Sequence, residues 1–109
     1  MSDVKPLLTV GITTRNRQGS LQRCLESLHY IEHLAPEILV FDDGSDVPVA
    51  AGLAPPVRII RDDLAPGNIV GRNALMLNAR AEMVLLLDDD AALLEGAGIE
   101  RALEIMSRD

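Results

Sequence analysis

The chain has 109 residues, 48% of them hydrophobic and 25% charged, which fits one globular domain of ordinary balance. Its net charge of −7 excludes a nucleic-acid groove, which needs a basic face to displace counterions, and adhesion to an anionic membrane surface. The single cysteine, Cys24, excludes an intrachain disulfide and a cysteine zinc site.

Met1 to Lys5 is polar and carries no apolar signal region. The longest apolar stretches fall far short of the ~20 residues that cross a bilayer. With the lone cysteine, these features give the expectation of a soluble, cytoplasmic chain without a transmembrane segment. Leu7 to Thr13 reads as a buried strand. Gln18 to Ile31 reads as a helix, with Leu21, Cys24, Leu25 and Leu28 on one face. Glu37 to Phe41 is a second strand and Val57 to Ile60 a third. Between them Pro48 and the Ala50–Pro56 stretch form the one linker-like segment, short enough for a loop. Pro66-Gly67-Asn68 opens a second helix to about Arg80, whose Val70, Ala74 and Leu77 share a face. Met83 to Leu87 is a fourth strand. A last helix covers Gly98 to Ser107, with Ile99, Ala102, Leu103 and Met106 inward.

Apolar strands alternating with helices imply α/β architecture: three layers, α/β/α, with about four strands in a mostly parallel sheet. Ligands of such sheets sit beyond the carboxyl ends of the strands, where strand order reverses. Eight of the 17 acidic residues fall just after strands two, three and four: Asp42, Asp43, Asp46, Asp62, Asp63, Asp88, Asp89 and Asp90. Gathered on one edge, carboxylates repel one another unless a cation sits among them. A hard divalent ion with oxygen ligands is the natural resolution.

Each motif admits a plainer reading. Asp88-Asp89-Asp90 is a solvated, capping turn or an Asp-x-Asp pair, Asp88 and Asp90 pointing one way by strand alternation to hold Mg²⁺ or Mn²⁺ with a diphosphate. Asp42-Asp43-Gly44-Ser45 is a side-chain-bonded turn or a carboxylate accepting from a base N–H or a ribose hydroxyl. Thr13-Thr14-Arg15-Asn16-Arg17 is a polar loop with Asn16 near a helix cap, or the floor of a nucleobase pocket closed by Arg15. Asp62-Asp63 caps a loop or lines the nucleotide site. Arg72 is solvated or faces the nucleotide. Gly67 to Asn73 has neither the Lys-Ser/Thr ending of a P-loop nor the preceding strand of a dinucleotide fingerprint. Cys24 belongs to the core, and His29 and His33, at i and i+4 with no third ligand nearby, to the surface.

The order of these motifs resembles the family 2 glycosyltransferases of GT-A fold: strand, Thr-Thr-Arg-Asn-Arg, helix, strand, Phe-Asp-Asp-Gly-Ser, strand, Gly-x-x-x-Gly-Arg-Asn, strand, Leu-Asp-Asp-Asp. The likeness runs from about Leu7 to Met106. It implies that residues 1–109 form one domain, the Rossmann-like half that binds a nucleotide-diphosphate sugar, with the acceptor half absent. It implies base contacts by Thr13 and Arg15, base recognition by Asp43, a nearby Arg72, metal ligation by Asp90 with Asp88, and ribose or sugar contact by Asp88 or Asp89. A uridine or thymidine diphosphate is the implied donor partner. Arg15 stands where an aromatic is more typical, although a guanidinium plane also stacks on a base. The implied activity is sugar transfer to an unknown acceptor. The catalytic base of the family lies beyond the Asp-x-Asp motif, and neither Glu95 nor Glu100 is nominated for it. The alternative is a nucleotide-binding module without turnover. Phosphoryl-transfer domains of receiver or dehalogenase type need their aspartate after strand one, where this chain has Thr-Thr-Arg. An exposed, apolar Met83–Leu87 edge leads to the expectation that the chain either forms homo-oligomers through this edge and its last helix or is a fragment of a longer enzyme.

Overall fold

The computed structural model describes residues 5–50 and 56–106. Four parallel strands form its sheet: β1 (Leu8–Thr14), β2 (Glu37–Asp42), β3 (Arg58–Arg61) and β4 (Met83–Asp88), in the order β3-β2-β1-β4. Three helices accompany them: α1 (Gln18–Ser27), α2 (Asn68–Asn78) and α3 (Ala97–Met106). The α/β class and the number of strands agree with the sequence reading. The Ala50–Pro56 loop falls mostly outside the described residues, as do Ser107 and Met1 to Val4.

β1 is the centre of the molecule, and every one of its residues is buried. It pairs with β2 on one side and β4 on the other. Alternation along β1 divides the core in two. Leu8, Val10 and Ile12 face α1 and pack with Leu21, Cys24, Leu25, Ile38 and Val40, with Leu93 and Ile99 laid against them. The opposite face is lighter: Leu39, Phe41 and Leu75, flanked by Ile60, Ala74 and Leu86, under α2 alone. Helices therefore cover both faces, giving three layers.

Two helices differ from expectation. The first ends at Ser27 and continues as a 3₁₀ segment, Leu28–Leu34, closed by Ala35 in the left-handed region at φ 47°. Its apolar spacing survives the change of winding, because Leu28 and Ile31 are still buried. In α2 the inward residues are Gly71 and Leu75, while Val70 and Leu77 are 46% and 85% exposed. The helix is turned so that a glycine meets the sheet. A Cβ on Gly71 would stand 2.7 Å from the Phe41 ring and 3.2 Å from Thr13 Cγ2. The missing side chain, not an apolar stripe, sets this packing. α3 keeps its expected inward face: Ile99 packs on the core, and Ala102 and Leu103 are half-buried. His29 and His33 are on the surface, His33 paired with Glu100.

The loop after β2 is built around the fully buried carboxylate of Asp42. Its Oδ1 accepts from the Ser45 amide at 3.0 Å, and its Oδ2 from the Val49 amide at 2.9 Å and from Arg61 Nη1 at 2.8 Å. Arg61 also reaches Asp63 and the Ser45 carbonyl. Burial alone would raise the Asp42 pKa, but the Ser45 and Val49 hydrogen bonds and Arg61 together hold it below the ordinary carboxylate value. Cys24 is buried in the core and its thiol lies 3.8 Å from the Asp88 carbonyl. Burial, with the charges of Asp89 and Asp90 behind it, pushes that thiol up to about 11.

Two outcomes follow from this packing. Asp42→Asn turns an amide toward two backbone donors and strips Arg61 of its counter-ion, so urea unfolding should show a loss of about 2–4 kcal/mol. Because the folded pKa is depressed, the Asp42 contribution is present above the unfolded value of about 3.9 and is lost as pH falls through the lower folded value. The acid limb of the stability profile should therefore be shallower in the variant. Gly71→Val drives two methyl groups at Phe41, and thermal melts should report a loss of about 2 kcal/mol.

Candidate functional site

The parallel register puts the carboxyl ends of β1, β2 and β4 side by side: Thr13 is level with Phe41 and with Asp88, and Thr14 with Asp42. The chain order β1, β2, β3 runs outward one way and β4 lies on the other side of β1. Strand order thus reverses between β1 and β4, where a crevice is expected in a sheet of this kind. A cleft of about 470 Å³ opens there. Its walls include Thr13, Arg15, Asp43, Arg72, Asp88, Asp89 and Asp90, each given a role of its own from the sequence. Thr14 and Arg17, named there only as part of their loop motif, complete it with Gly67 and Asn68.

The end of β4 and the turn after it decide where each aspartate goes. Asp88 is level with Thr13, on the α2 side, and its Oδ1 accepts from Arg72 Nη2 at 3.1 Å. Asp89 turns to the α1 side and is 6% exposed. Its Oδ2 accepts from the Thr14 hydroxyl at 3.0 Å and its Oδ1 from Arg17 Nη1 at 3.4 Å. β4 ends at Asp88, and a turn bond from the Ala91 amide to the Asp88 carbonyl follows at 3.0 Å. Asp88 and Asp90 are therefore both exposed to the cleft through a turn, not through strand alternation as expected. Asp90 lies 4.0 Å from Arg17 Nη1.

Asp43 stands on the opposite wall. Its Oδ1 accepts from the Gly67 amide at 2.9 Å, which ties the loop after β2 to the start of α2. Among the described residues its other oxygen has no hydrogen-bond partner. Gly67 adopts φ 99°, a conformation that favours glycine, and leads into the helix that carries Gly71 and Arg72. Because Gly71 seats against Phe41 and Thr13, the next side chain, Arg72, comes level with Asp88. Arg15 is exposed and makes no hydrogen bond or ion pair among the described residues.

Asn16 does not cap α1: it sits in the left-handed region at φ 54° and Arg17 precedes the helix instead. The Asn16 amide donates to Ser45 Oγ and its side-chain oxygen accepts from the Asp46 amide, so the loops after β1 and β2 are stitched together. The eight acidic residues also divide more sharply than their spacing implies. Asp42 is buried with Arg61. Asp63 pairs with Arg61, and Asp62 accepts from the Leu64 amide within its own loop. Neither Asp62 nor Asp63 lines the cleft. Asp46 is not on its wall either, which leaves Asp43, Asp88, Asp89 and Asp90, and arginines already face three of them. Among the described residues no three His, Cys, Asp or Glu side chains are grouped to hold a metal unaided. No helix among those residues is long and apolar enough to cross a membrane.

Comparison with known proteins agrees with this architecture. The uncharacterized protein MT1568 of Mycobacterium tuberculosis (strain CDC 1551 / Oshkosh) is 32% identical over 101 residues, covering 89% of this chain and 32% of that protein. The uncharacterized glycosyltransferase YwdF of Bacillus subtilis (strain 168) is 31% identical over 106 residues, covering 94% of this chain and 39% of that protein. The chain thus spans about a third of the length of these relatives. The crystal structure of S. aureus TarS 1-349 superposes with a TM-score of 0.73 at 21% identity, over 92% of this chain and 32% of that one, and so shares the fold. The model of the family described as Glycosyl transferase family 2 matches residues 9–109, nearly the whole sequence, and the chain belongs to that family.

Proposed function

We propose that this chain is the donor-binding half of a glycosyltransferase, holding a nucleotide-diphosphate sugar and a divalent cation in the cleft at the β1/β4 switch point, for transfer of the sugar to an acceptor. The observation that carries the reading is the convergence of Asp43, Arg72, Asp88 and Asp90, distant in sequence, on one cleft. A uridine or thymidine diphosphate is the proposed donor nucleotide. In this reading the oxygen of Asp43 that Gly67 does not occupy accepts a base N–H, and Thr13 and the Arg15 guanidinium plane contact the base.

The residues present fit a hard divalent ion, Mn²⁺ or Mg²⁺. Asp88 and Asp90 offer oxygen donors, and such ions take one or two carboxylates together with phosphate oxygens and waters rather than an all-protein cage. Two exposed carboxylates without a third ligand match that habit. When bound, the ion would act as a Lewis acid on the developing charge of the diphosphate leaving group. Asp89 takes a different part from the one its motif implies. Buried on Thr14 and Arg17, it fixes the turn and so positions Asp88 and Asp90. Arg72 adds a positive charge beside the nucleotide.

A second reading, a nucleotide-binding module without turnover, is favoured by the lining itself. Each carboxylate of the cleft is assigned to the donor or to the turn, and none is left to deprotonate an acceptor. A cytoplasmic location belongs to the same proposal, supported by the single unpaired cysteine. So does self-association. Among the described residues β4 has β1 as its one neighbour in the sheet, and Met83–Leu87 carries no charge or proline to blunt the open edge.

Calorimetry should detect UDP binding only in the presence of Mn²⁺ or Mg²⁺, and Asp90→Ala or Asp88→Ala should weaken it by about tenfold or more. Metal-independent binding, or full affinity in Asp90→Ala, would refute the cleft assignment. Release of free sugar or transfer from a UDP-sugar by the purified chain would remove the second reading. Sedimentation over a wide concentration range should show a mass that rises with concentration; a constant monomer mass would exclude the β4 interface.

A further inference from the structure

We infer that Arg17 is the exchangeable counter-ion of the acidic turn: it neutralises Asp89 and Asp90 while no cation is bound and turns to the diphosphate when a divalent ion takes its place. The inference rests on the donor-site reading above and adds to it a residue and a coupling between two ligands.

The charges of the cleft nearly balance without any ligand. Asp43, Asp88, Asp89 and Asp90 face Arg15, Arg17 and Arg72, leaving one net negative charge. Three of those carboxylates are consecutive in sequence, so their mutual repulsion must be met locally. Arg72 meets it from the α2 side at Asp88, and Arg17 from the α1 side at Asp89 and Asp90. The two contacts of Arg17 are loose. One, at 3.4 Å, is near the outer limit of a hydrogen bond, and the other, at 4.0 Å, is a charge contact alone. The Arg17 side chain is 58% exposed, so water screens both.

Departure of Arg17 takes the partner from Asp89 Oδ1 while Oδ2 keeps the shorter bond from Thr14, so the positive charge that Arg17 withdraws has to be replaced by the arriving cation. The backbone of Arg17 is fixed while its side chain is free to swing, because its carbonyl accepts the Leu21 amide at 2.9 Å in the first turn of α1. With a divalent ion held by Asp88 and Asp90, Arg17 and Arg72 would no longer be needed to neutralise the turn and would turn toward the same cleft. A diphosphate offers them the planar, bidentate pairing that guanidinium groups favour. Cation and nucleotide therefore raise each other's affinity, since each frees the groups that bind the other.

Calorimetric titrations of the whole chain with Mn²⁺ alone, UDP alone, and each in the presence of the other test this, on the unsubstituted protein, Arg17→Ala and Arg17→Lys. In the unsubstituted chain Mn²⁺ should raise UDP affinity by about tenfold or more. Arg17→Ala should bind Mn²⁺ alone about threefold more tightly, having lost a competing cation, and its coupling should fall by about fivefold or more. Arg17→Lys keeps the competing charge but not the fork. Its Mn²⁺ affinity should match the unsubstituted chain while UDP affinity with Mn²⁺ falls, and it decides the matter if Arg17→Ala melts early. Unchanged coupling in both variants, or weaker Mn²⁺ binding in Arg17→Ala, would overturn the inference and leave the donor site standing. No binding of UDP and Mn²⁺ by the unsubstituted chain would overturn both.

Discussion

Parallel pairing of β1 with strands on both of its edges is the constraint from which the rest follows. It buries the strand completely and divides the core between two helical layers. It also brings three strand ends level, so that Thr13 comes beside Asp88 and Thr14 beside Asp42 although they are far apart in the chain. No local propensity gathers those residues. Hydrogen-bond register does, and the reversal of strand order beside β1 leaves the crevice open.

Electrostatics then distributes roles among carboxylates that look alike in sequence. The two members of Asp42-Asp43 differ by one step along a strand end. One is sealed under Arg61 and two backbone amides and shapes the loop; the other keeps an oxygen turned to the cleft. The same division recurs in Asp88-Asp89-Asp90, where the middle residue is buried on Thr14 and its neighbours are open. Spacing suggested that a cation must resolve this crowding. The fold shows that arginines supply much of the resolution: Arg61 removes Asp42 and Asp63 from the problem, and Arg17 and Arg72 bracket what is left.

The architecture was legible because it is written in apolar runs and their spacing, which report burial directly. The four strands and the inward face of α3 appear as read. Thr13, Arg15, Asp43, Arg72, Asp88, Asp89 and Asp90 share one cleft, since motifs that follow strands in a parallel sheet share an edge, whereas Asp62 and Asp63 stay in their own loop. What was not legible depends on contacts that spacing does not encode. The seating of α2 is decided by the empty side of Gly71 against Phe41, not by Val70 and Leu77. Thr14, on the far side of β1 from Thr13, enters the site only because the turn after β4 sends Asp89 to that side. Arg17 was in plain view within its motif, but nothing in the linear order marks it as the partner of residues 72 and 73 positions later.

The placement of Cys24 restricts how this molecule can be joined to others. Its sulfur is enclosed beneath the carbonyl of Asp88 and stays protonated throughout the neutral range. A protonated, enclosed thiol exchanges poorly with disulfides and resists oxidants. With no second cysteine in the sequence, covalent cross-linking through sulfur is closed to the folded chain. A reductant therefore has no cross-link through Cys24 to undo in the folded chain.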